Sequence, residues 1–226
     1  MSIEKLSSRI RIAETLNSAE NILTAINAGA WETDPYFPII IDEFAKVTAS
    51  FRQSVDFTKA ESDLEEFDLK RDNDVRAIFN VANGFQFFRD PKVQEAFKVV
   101  MKTLSEYGMS ITEGNYAQES TTIKSMLNNL AEPAVATAIE ALVPLGQLIE
   151  NLRVSQAEFD SAVQAYNASK VDNLVSPTEI KKEVVKVLNK KLIGYLNIVT
   201  PLNEALFSDI SGKIAELIER GNSYAV

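Results

Sequence analysis

The feature that most constrains the fold of this chain is the spacing of its apolar residues, which recur every three or four positions along most of its length. This is the period of one face of an α-helix. No segment shows the alternation of apolar and polar residues that a half-buried β-strand requires. The sequence therefore predicts an all-α protein built as a multi-helix bundle.

The apolar positions also predict where the helices lie. We expect them over residues 12–26, 37–55, 75–88, 93–104, 145–166, 180–198 and 207–217. A shorter helix at residues 123–130 follows an irregular bridge. Most of the prolines stand where a helix could begin, because the first helical position tolerates the missing N–H. The clearest start is Ser176-Pro177-Thr178-Glu179, which matches a capping box.

These helices group into three segments, which we expect to pack as one compact unit. They are an N-terminal half at residues 1–107, a connector with a short helix at 108–132, and a C-terminal half at 133–226. An internal echo accompanies this division: the spacing of Ile41, Phe44, Phe51 and Val55 returns in Ile149, Leu152, Phe159 and Val163. Duplication of a three-helix half and the ordinary likeness of two amphipathic helices both explain the echo.

The chain contains no histidine and no cysteine. This excludes Ser-His-Asp and Cys-His nucleophiles, as well as imidazole and thiolate metal sites. The glycine motifs of nucleotide-binding loops are also missing. Tyr116, Tyr166 and Tyr195 remain as acid–base candidates, and their spacing does not bring them together. We therefore expect no catalytic residue, no cofactor and no metal, and a protein that is not an enzyme.

The charge balance further limits the partners. With 32 acidic and 23 basic residues the net charge is -9, which repels phosphate backbones, so we expect no nucleic acid. The N-terminal residues lack the continuous apolar core of a signal peptide. No run reaches the roughly 20 apolar residues of a membrane span. Together with the absence of cysteine, this predicts a soluble, cytoplasmic protein that does not associate with membranes.

Two charged clusters are candidate binding surfaces. Residues 61–68 hold five carboxylates, which could bind a hard cation; a solvated helix start, where the helix dipole favours negative charge, is the more usual explanation. Lys182, Lys186 and Lys190 recur at four-residue spacing along one helix. They form a candidate partner-binding surface for an acidic protein or a phosphate-bearing ligand, with a solvated helix face as the alternative.

Two apolar groups also allow more than one interpretation. Residues 134–149 could form a membrane-inserting hairpin, but a stretch this short favours an Ala-rich helix pair buried in the bundle. A group of phenylalanines could line a ligand pocket, although their helical spacing favours a place in the core. The group consists of Phe79, Phe85, Phe87, Phe88 and Phe97.

Three segments of the second half carry a family resemblance. They read LIENLRVSQAEF at residues 148–159, LIGYLN at 192–197 and IAELIERGN at 214–222. With these segments the chain resembles an uncharacterised all-helical family of Bacteroidetes bacteria, and the resemblance extends over nearly the whole chain. It implies a helical bundle of unknown function and supplies no catalytic residue.

Strong amphipathic order without catalytic chemistry favours one functional class. We expect a helical protein that binds a protein partner through a groove or a helix face. One alternative is a membrane-active protein that uses residues 134–149, and another is a small-ligand carrier or a carboxylate-and-tyrosine enzyme. The apolar spacing suits both a monomer and an oligomer, so the oligomeric state stays open.

Overall fold

The computed structural model describes residues 2–29, 31, 33–170 and 175–225. Within these residues the chain is an all-α helical bundle with no β-strand, as the apolar spacing predicts. The helices are α1 (Ile12–Asn27), α2 (Phe37–Gly84), α3 (Pro91–Ser105), α4 (Tyr116–Leu130), α5 (Pro133–Glu140), α6 (Leu145–Ser169), α7 (Pro177–Val187), α8 (Ile193–Val199) and α9 (Glu204–Asn222). Short 3₁₀ segments follow α2 and α3, and a π-helical segment, Leu188–Leu192, joins α7 to α8.

Polar caps and prolines set several helix starts. Asp90 caps α3 by accepting a hydrogen bond from the N–H of Lys92 at 2.8 Å. Ser176 caps α7 by accepting from the N–H of Glu179 at 3.4 Å. Helices α3, α5 and α7 each begin with proline. These starts follow the sequence prediction, because caps and first-turn prolines act within a few residues.

Helix α2 is longer than the apolar spacing indicates. The predicted helices at 37–55 and 75–88 are parts of one helix, because residues 56–74 contain no Gly or Pro that would end it. Buried Ala60 and Leu64 continue its packed face through this charged stretch. The carboxylates of residues 61–68 therefore lie inside a helix, and the prediction that they mark a helix start is wrong.

The chain separates into two compact units. The first unit contains Met1–Lys59 and Ser169–Val226, and the second contains Ala60–Ala168. The first has one core, formed by the N-terminal residues, α1, the start of α2, and α7 to α9. The second unit's main core is formed by the end of α2 and by α3 to α6.

This division differs from the three segments expected from the sequence. The terminal segments pack together because apolar residues near both chain ends enter the same core. Residues 108–132, expected to be a connector with a short helix, contain α4, which buries Ile123, Met126, Leu127 and Leu130 in the second unit. The internal echo stays a prediction. Ile41, Phe44, Phe51 and Val55 lie in the first unit, and the matching residues from Ile149 to Val163 lie in the second.

Residues 134–149 are only partly buried: the prediction of a buried helix pair is wrong for α5, whereas Leu142, Leu145 and Ile149 enter the second core. Helix α5 has no fully buried residue, and Val135 and Ile139 pack against the second core from its edge. A turn then leads into α6, and Val143 there is 79% exposed. Among the described residues, no helix combines the length and the apolar character needed to cross a membrane.

The phenylalanine group divides between core and surface. Phe79 and Phe85 are buried, and Phe97 packs at the edge of the same core. Phe87 and Phe88 are 79% and 55% exposed, because α2 ends at Gly84 and the 3₁₀ turn that follows directs them outward. The expectation of a core position is therefore wrong for these two residues.

Candidate functional site

The first unit holds its own N-terminal segment as an ordered strap. We call residues 2–10 the N-terminal strap; it precedes α1 and has no helical structure. Ile3, Leu6 and Ile10 are at most 4% exposed and belong to the core of the first unit. The strap is therefore a structural part of that unit.

Asparagine side chains bind the strap through its backbone. Asn197 accepts a hydrogen bond from the N–H of Ile3 at 2.7 Å and donates to the carbonyl of Ile3 at 3.0 Å. Asn189 does the same with Leu6, at 2.8 Å and 2.9 Å. An amide that pairs with both backbone groups of one residue requires extended backbone there and is indifferent to that residue's side chain.

A third asparagine completes this contact from α9. Asn222 accepts from the N–H of Ser7 at 2.8 Å and donates to the carbonyl of Lys5 at 3.0 Å. We call Asn189, Asn197 and Asn222 the asparagine ladder. Its members are far from the strap in sequence, so only the tertiary fold brings them together.

The ladder matches the dimensions of an extended chain. Lys181, Asn189 and Asn197 are spaced by eight residues, and Lys181 donates to the backbone carbonyls of Ser8, at 3.1 Å, and Ile10. Eight helical residues rise about 12 Å, and three extended residues span about 10 Å. The strap residues bound by Asn197, Asn189 and Lys181 are Ile3, Leu6 and the pair Ser8 and Ile10, which lie about three residues apart. The spacing of the contacts along the strap therefore matches the spacing of these side chains along the helices.

The π-helical segment aligns two members of the ladder. Eight residues on an ideal α-helix would rotate Asn197 by about 80° from Asn189. In Leu188–Leu192 the N–H of Ile193 bonds to the carbonyl of Leu188, which adds one residue to the turn. The extra residue reduces the rotation to about 20°. Both amides therefore face the strap.

Gly221 makes room for the strap on α9. A Cβ atom at Gly221 would lie 3.0 Å from Cδ1 of Leu6 and 2.9 Å from Oγ of Ser18, closer than ordinary packing allows. A glycine near the end of a helix often terminates it, but α9 continues past Gly221 to Asn222. Close packing of the strap and α1 against α9 explains the glycine better.

A second cluster of polar residues is buried in the second unit. Arg71 is fully buried and donates to Asp68 at 2.7 Å, to Glu119, and to the hydroxyl of Ser120 at 2.9 Å. Its guanidinium carbon lies 3.8 Å from the centre of the Phe159 ring. The charge is thus held by carboxylates and by an aromatic face, as a buried arginine requires.

Burial changes the acidity of this cluster. It raises the pKa of Asp72, and the charge of Asp68 raises it further. Burial likewise raises the pKa of Glu119, although the charge of Arg71 opposes the shift. Oxygens of Asp68, Asp72 and Glu119 lie within 4.8 Å of one another, a set that could hold a hard cation. Because Arg71 already binds two of these carboxylates, the geometry favours an internal ion-pair network.

The model of a family of unknown function, DUF6261, matches residues 61–218. The chain belongs to the DUF6261 family. No curated protein and no solved structure matches it. This match confirms that the chain belongs to a family of unknown function, as the resemblance implies. In this DUF6261 chain the matched region includes Asn189 and Asn197, whereas the strap and Asn222 lie outside it.

The lysines expected to bind a partner lie on the surface of this DUF6261 protein. Lys182, Lys186 and Lys190 are all exposed. Lys186 bonds to Glu183 at 2.9 Å, and Lys182 and Lys190 have no side-chain partner among the described residues. Partner binding by this face stays a prediction. Lys181, which precedes the face, instead binds the strap.

Two of the tyrosines have carboxylate neighbours in the DUF6261 fold. Tyr195 donates to both oxygens of Asp34, at 2.8 Å and 2.9 Å. Burial and this hydrogen bond raise the pKa of Tyr195 to about 12. Tyr116 packs edge-on against Phe159 in the second unit, and burial and the charge of Asp68 raise its pKa. Both phenols are thus poorer acids than usual, which suits structural roles.

Sequence reasoning missed the asparagine ladder. Asn189 and Asn197 are eight residues apart, a spacing that separates them on a helical wheel drawn with the ordinary period. Only the π-helical insertion brings them to one face. The usable signal in the sequence was the apolar spacing of Ile3, Leu6 and Ile10 ahead of the first helix.

Proposed function

We propose that this protein is a non-enzymatic, protein-binding helical protein whose first unit holds an extended peptide segment against α7, α8 and α9. The paired hydrogen bonds of Asn189 and Asn197 to single strap residues support this function most directly. They recognise extended backbone, which any partner segment offers. In the free chain the strap occupies the groove along α7, α8 and α9. A partner segment with the same extended backbone replaces it there.

The strap also indicates what such a segment needs. Ile3, Leu6 and Ile10 insert apolar side chains into the core, so the partner carries apolar residues at the first, fourth and eighth positions. The side chains between them, such as Glu4 and Lys5, are exposed and leave the partner sequence free. Selectivity then comes from the three apolar positions, and the backbone contacts add affinity.

Other properties belong to the same proposal. The net charge of -9 supports a protein partner over a nucleic acid. Exposed Lys182, Lys186 and Lys190 support a second contact with an acidic part of the partner. The family resemblance supports an origin in Bacteroidetes bacteria, and the absence of cysteine supports a cytoplasmic location. The absence of histidine and cysteine supports a role without catalysis.

Peptide capture tests this function. The probe is a fluorescent peptide with the sequence of residues 2–11, and its anisotropy reports binding to the full chain. Replacing Ile3 and Leu6 with Ser in the protein weakens the strap, so we expect saturable capture of the peptide by this variant. The natural chain should bind more than tenfold more weakly, because its own strap competes at the high effective concentration of a tethered segment.

Two controls distinguish binding in the groove from non-specific peptide binding. A peptide that carries Ser in place of Ile3 and Leu6 should not bind. Asn189→Asp keeps the shape of the side chain but removes its donor to the peptide carbonyl, so it should weaken capture. Asn128→Asp changes the same charge at an exposed site on α4 and should have no effect. Equal binding of both peptides, or equal behaviour of both Asp variants, contradicts the proposed function.

A further inference from the structure

Two acidic clefts border the first part of the strap along α9. One is lined by Glu4 of the strap together with Glu216 and Glu219 of α9. The other is lined by Ile3 together with Glu204 and Ser208. Among the residues described there, neither cleft is lined by a Lys or an Arg. The start of the groove is therefore a surface of one charge sign.

The carboxylates that line these clefts lack cations, whereas others in the same unit have them. Glu4, Glu204, Glu216 and Glu219 are exposed and form no ion pair within the part of the chain that the structure describes. In the same unit Glu43 pairs with Lys191 at 2.5 Å. Every carboxylate among the described residues that line the two clefts is therefore without a cation.

Glu4 makes the strap a poor electrostatic match for its own groove. It lines the same cleft as Glu216 and Glu219, so three carboxylates face one space. Like charges held close together oppose binding, whereas a cation at the same position would be attracted. The backbone and apolar groups of the strap have partners, whereas the carboxylate of Glu4 has no cation among the described residues.

We infer that the preferred partner of the groove is a cationic extended segment that carries Lys or Arg at the position of Glu4, and that the strap is a charge-mismatched occupant which this segment displaces. This inference rests on the proposed function and adds the charge of the partner. Because Glu4 lines one cleft together with Glu216 and Glu219, a cation at its position faces that cleft.

Two labelled peptides test the inference on the full chain. One has the sequence of residues 2–11, and the other differs by Glu4→Lys. Anisotropy at low salt should show the Lys peptide binding roughly three- to tenfold more tightly, within the range for two exposed charge pairs, one each with Glu216 and Glu219. The advantage should shrink as salt is added, because the pairs are exposed to solvent. Glu216→Gln with Glu219→Gln should remove most of it.

A matched variant controls for net charge. Glu95→Gln with Glu140→Gln removes the same charge from exposed positions on α3 and α5, and it should keep the preference for the Lys peptide. Equal affinity for both peptides, or equal loss in both protein variants, overturns the inference and leaves the proposed function standing. Failure of either peptide to bind the natural chain or the variant with a weakened strap overturns both.

A measurement on the chain alone gives an independent check. Glu4→Lys in the full-length protein should increase hydrogen-exchange protection of the Ile3 and Leu6 amides, because the strap then matches its clefts. The same substitution should reduce capture of added peptide. Lower protection of these amides in the Glu4→Lys protein contradicts the inference whatever the peptides do.

Discussion

The net free energy that holds the strap against the helices is small. Truncating one side chain can therefore shift the equilibrium between the docked and the open strap. Burial of Ile3, Leu6 and Ile10 contributes about 6 kcal/mol in total. The hydrogen bonds of the asparagine ladder contribute a similar amount, at about 1 kcal/mol each. Ordering the strap residues costs roughly 10 kcal/mol. The balance is a few kcal/mol, so we expect the strap to open while the helices stay folded.

Leu6→Ala should therefore release the strap without unfolding the protein. Leu6 is 2% exposed, and truncating a buried Leu costs about 2 to 5 kcal/mol. The lower end applies because a strap can relax around the change, which corresponds to a loss of roughly 30-fold or more in the docking equilibrium. Hydrogen exchange followed by NMR should show this loss at the Ile3, Leu6 and Ser7 amides. Amides of α4 should keep their protection.

Leu196→Ala is the matched control for this prediction. Leu196 is fully buried in the same core but belongs to α8, so its truncation should reduce protection throughout the first unit. The reasoning is refuted if Leu6→Ala lowers protection of α7 to α9 as much as that of the strap. It is equally refuted if the strap amides keep their protection, because the strap then has far more than a few kcal/mol of docking free energy.

Further predictions concern α9 and the buried cluster. Gly221→Ala should lower the melting temperature and loosen the strap, since its Cβ meets Leu6, whereas Gly212→Ala, with nothing within 4 Å, should raise stability by up to about 1 kcal/mol through helix propensity. Arg71→Met should cost about 3 to 5 kcal/mol in urea unfolding, because it leaves Glu119 buried without its cation; a loss below about 1 kcal/mol would argue against a paired network. The raised pKa of Glu119 means that the folded chain binds more protons than the unfolded chain just above the ordinary value of 4.5. This contribution to stability is present below that pH and is lost as the pH rises through the folded pKa. Glu119→Gln should therefore reduce the decrease in unfolding free energy as the pH rises. Urea unfolding of both proteins over a pH series checks this.

The helices themselves were predictable from the sequence to different degrees. α1, α3, α6 and α9 lie where the apolar spacing places them, because each has one clear buried face. The apolar spacing predicts two helices in place of α2, because residues 56–74 bury few side chains and a thin apolar face is a weak signal for a continuous helix. The exposed position of α5 was missed because composition records apolar character but not the side from which a helix packs.

The candidate site was harder to predict from the sequence than the helices were. Asn189, Asn197 and Asn222 look like ordinary surface asparagines in the sequence, because nothing local distinguishes an amide that binds water from one that binds distant backbone. Arg71 looked like one charge in a charged stretch, and the partners that bury it include Glu119 and Phe159 from other helices. Long-range pairing of polar groups has no sequence period, so the spacing of residues could not reveal it.

The sequence by itself determined the all-α class, most helix positions and the absence of imidazole and thiolate chemistry, because these depend on local periodicity and on which residues are present at all. The tertiary structure alone decided that the two chain ends share one unit, that a π-helical turn aligns two asparagines, and that the N-terminal strap lies in the groove they form. Those outcomes depend on contacts between residues far apart in the chain, whose free energy appears only once the helices have packed.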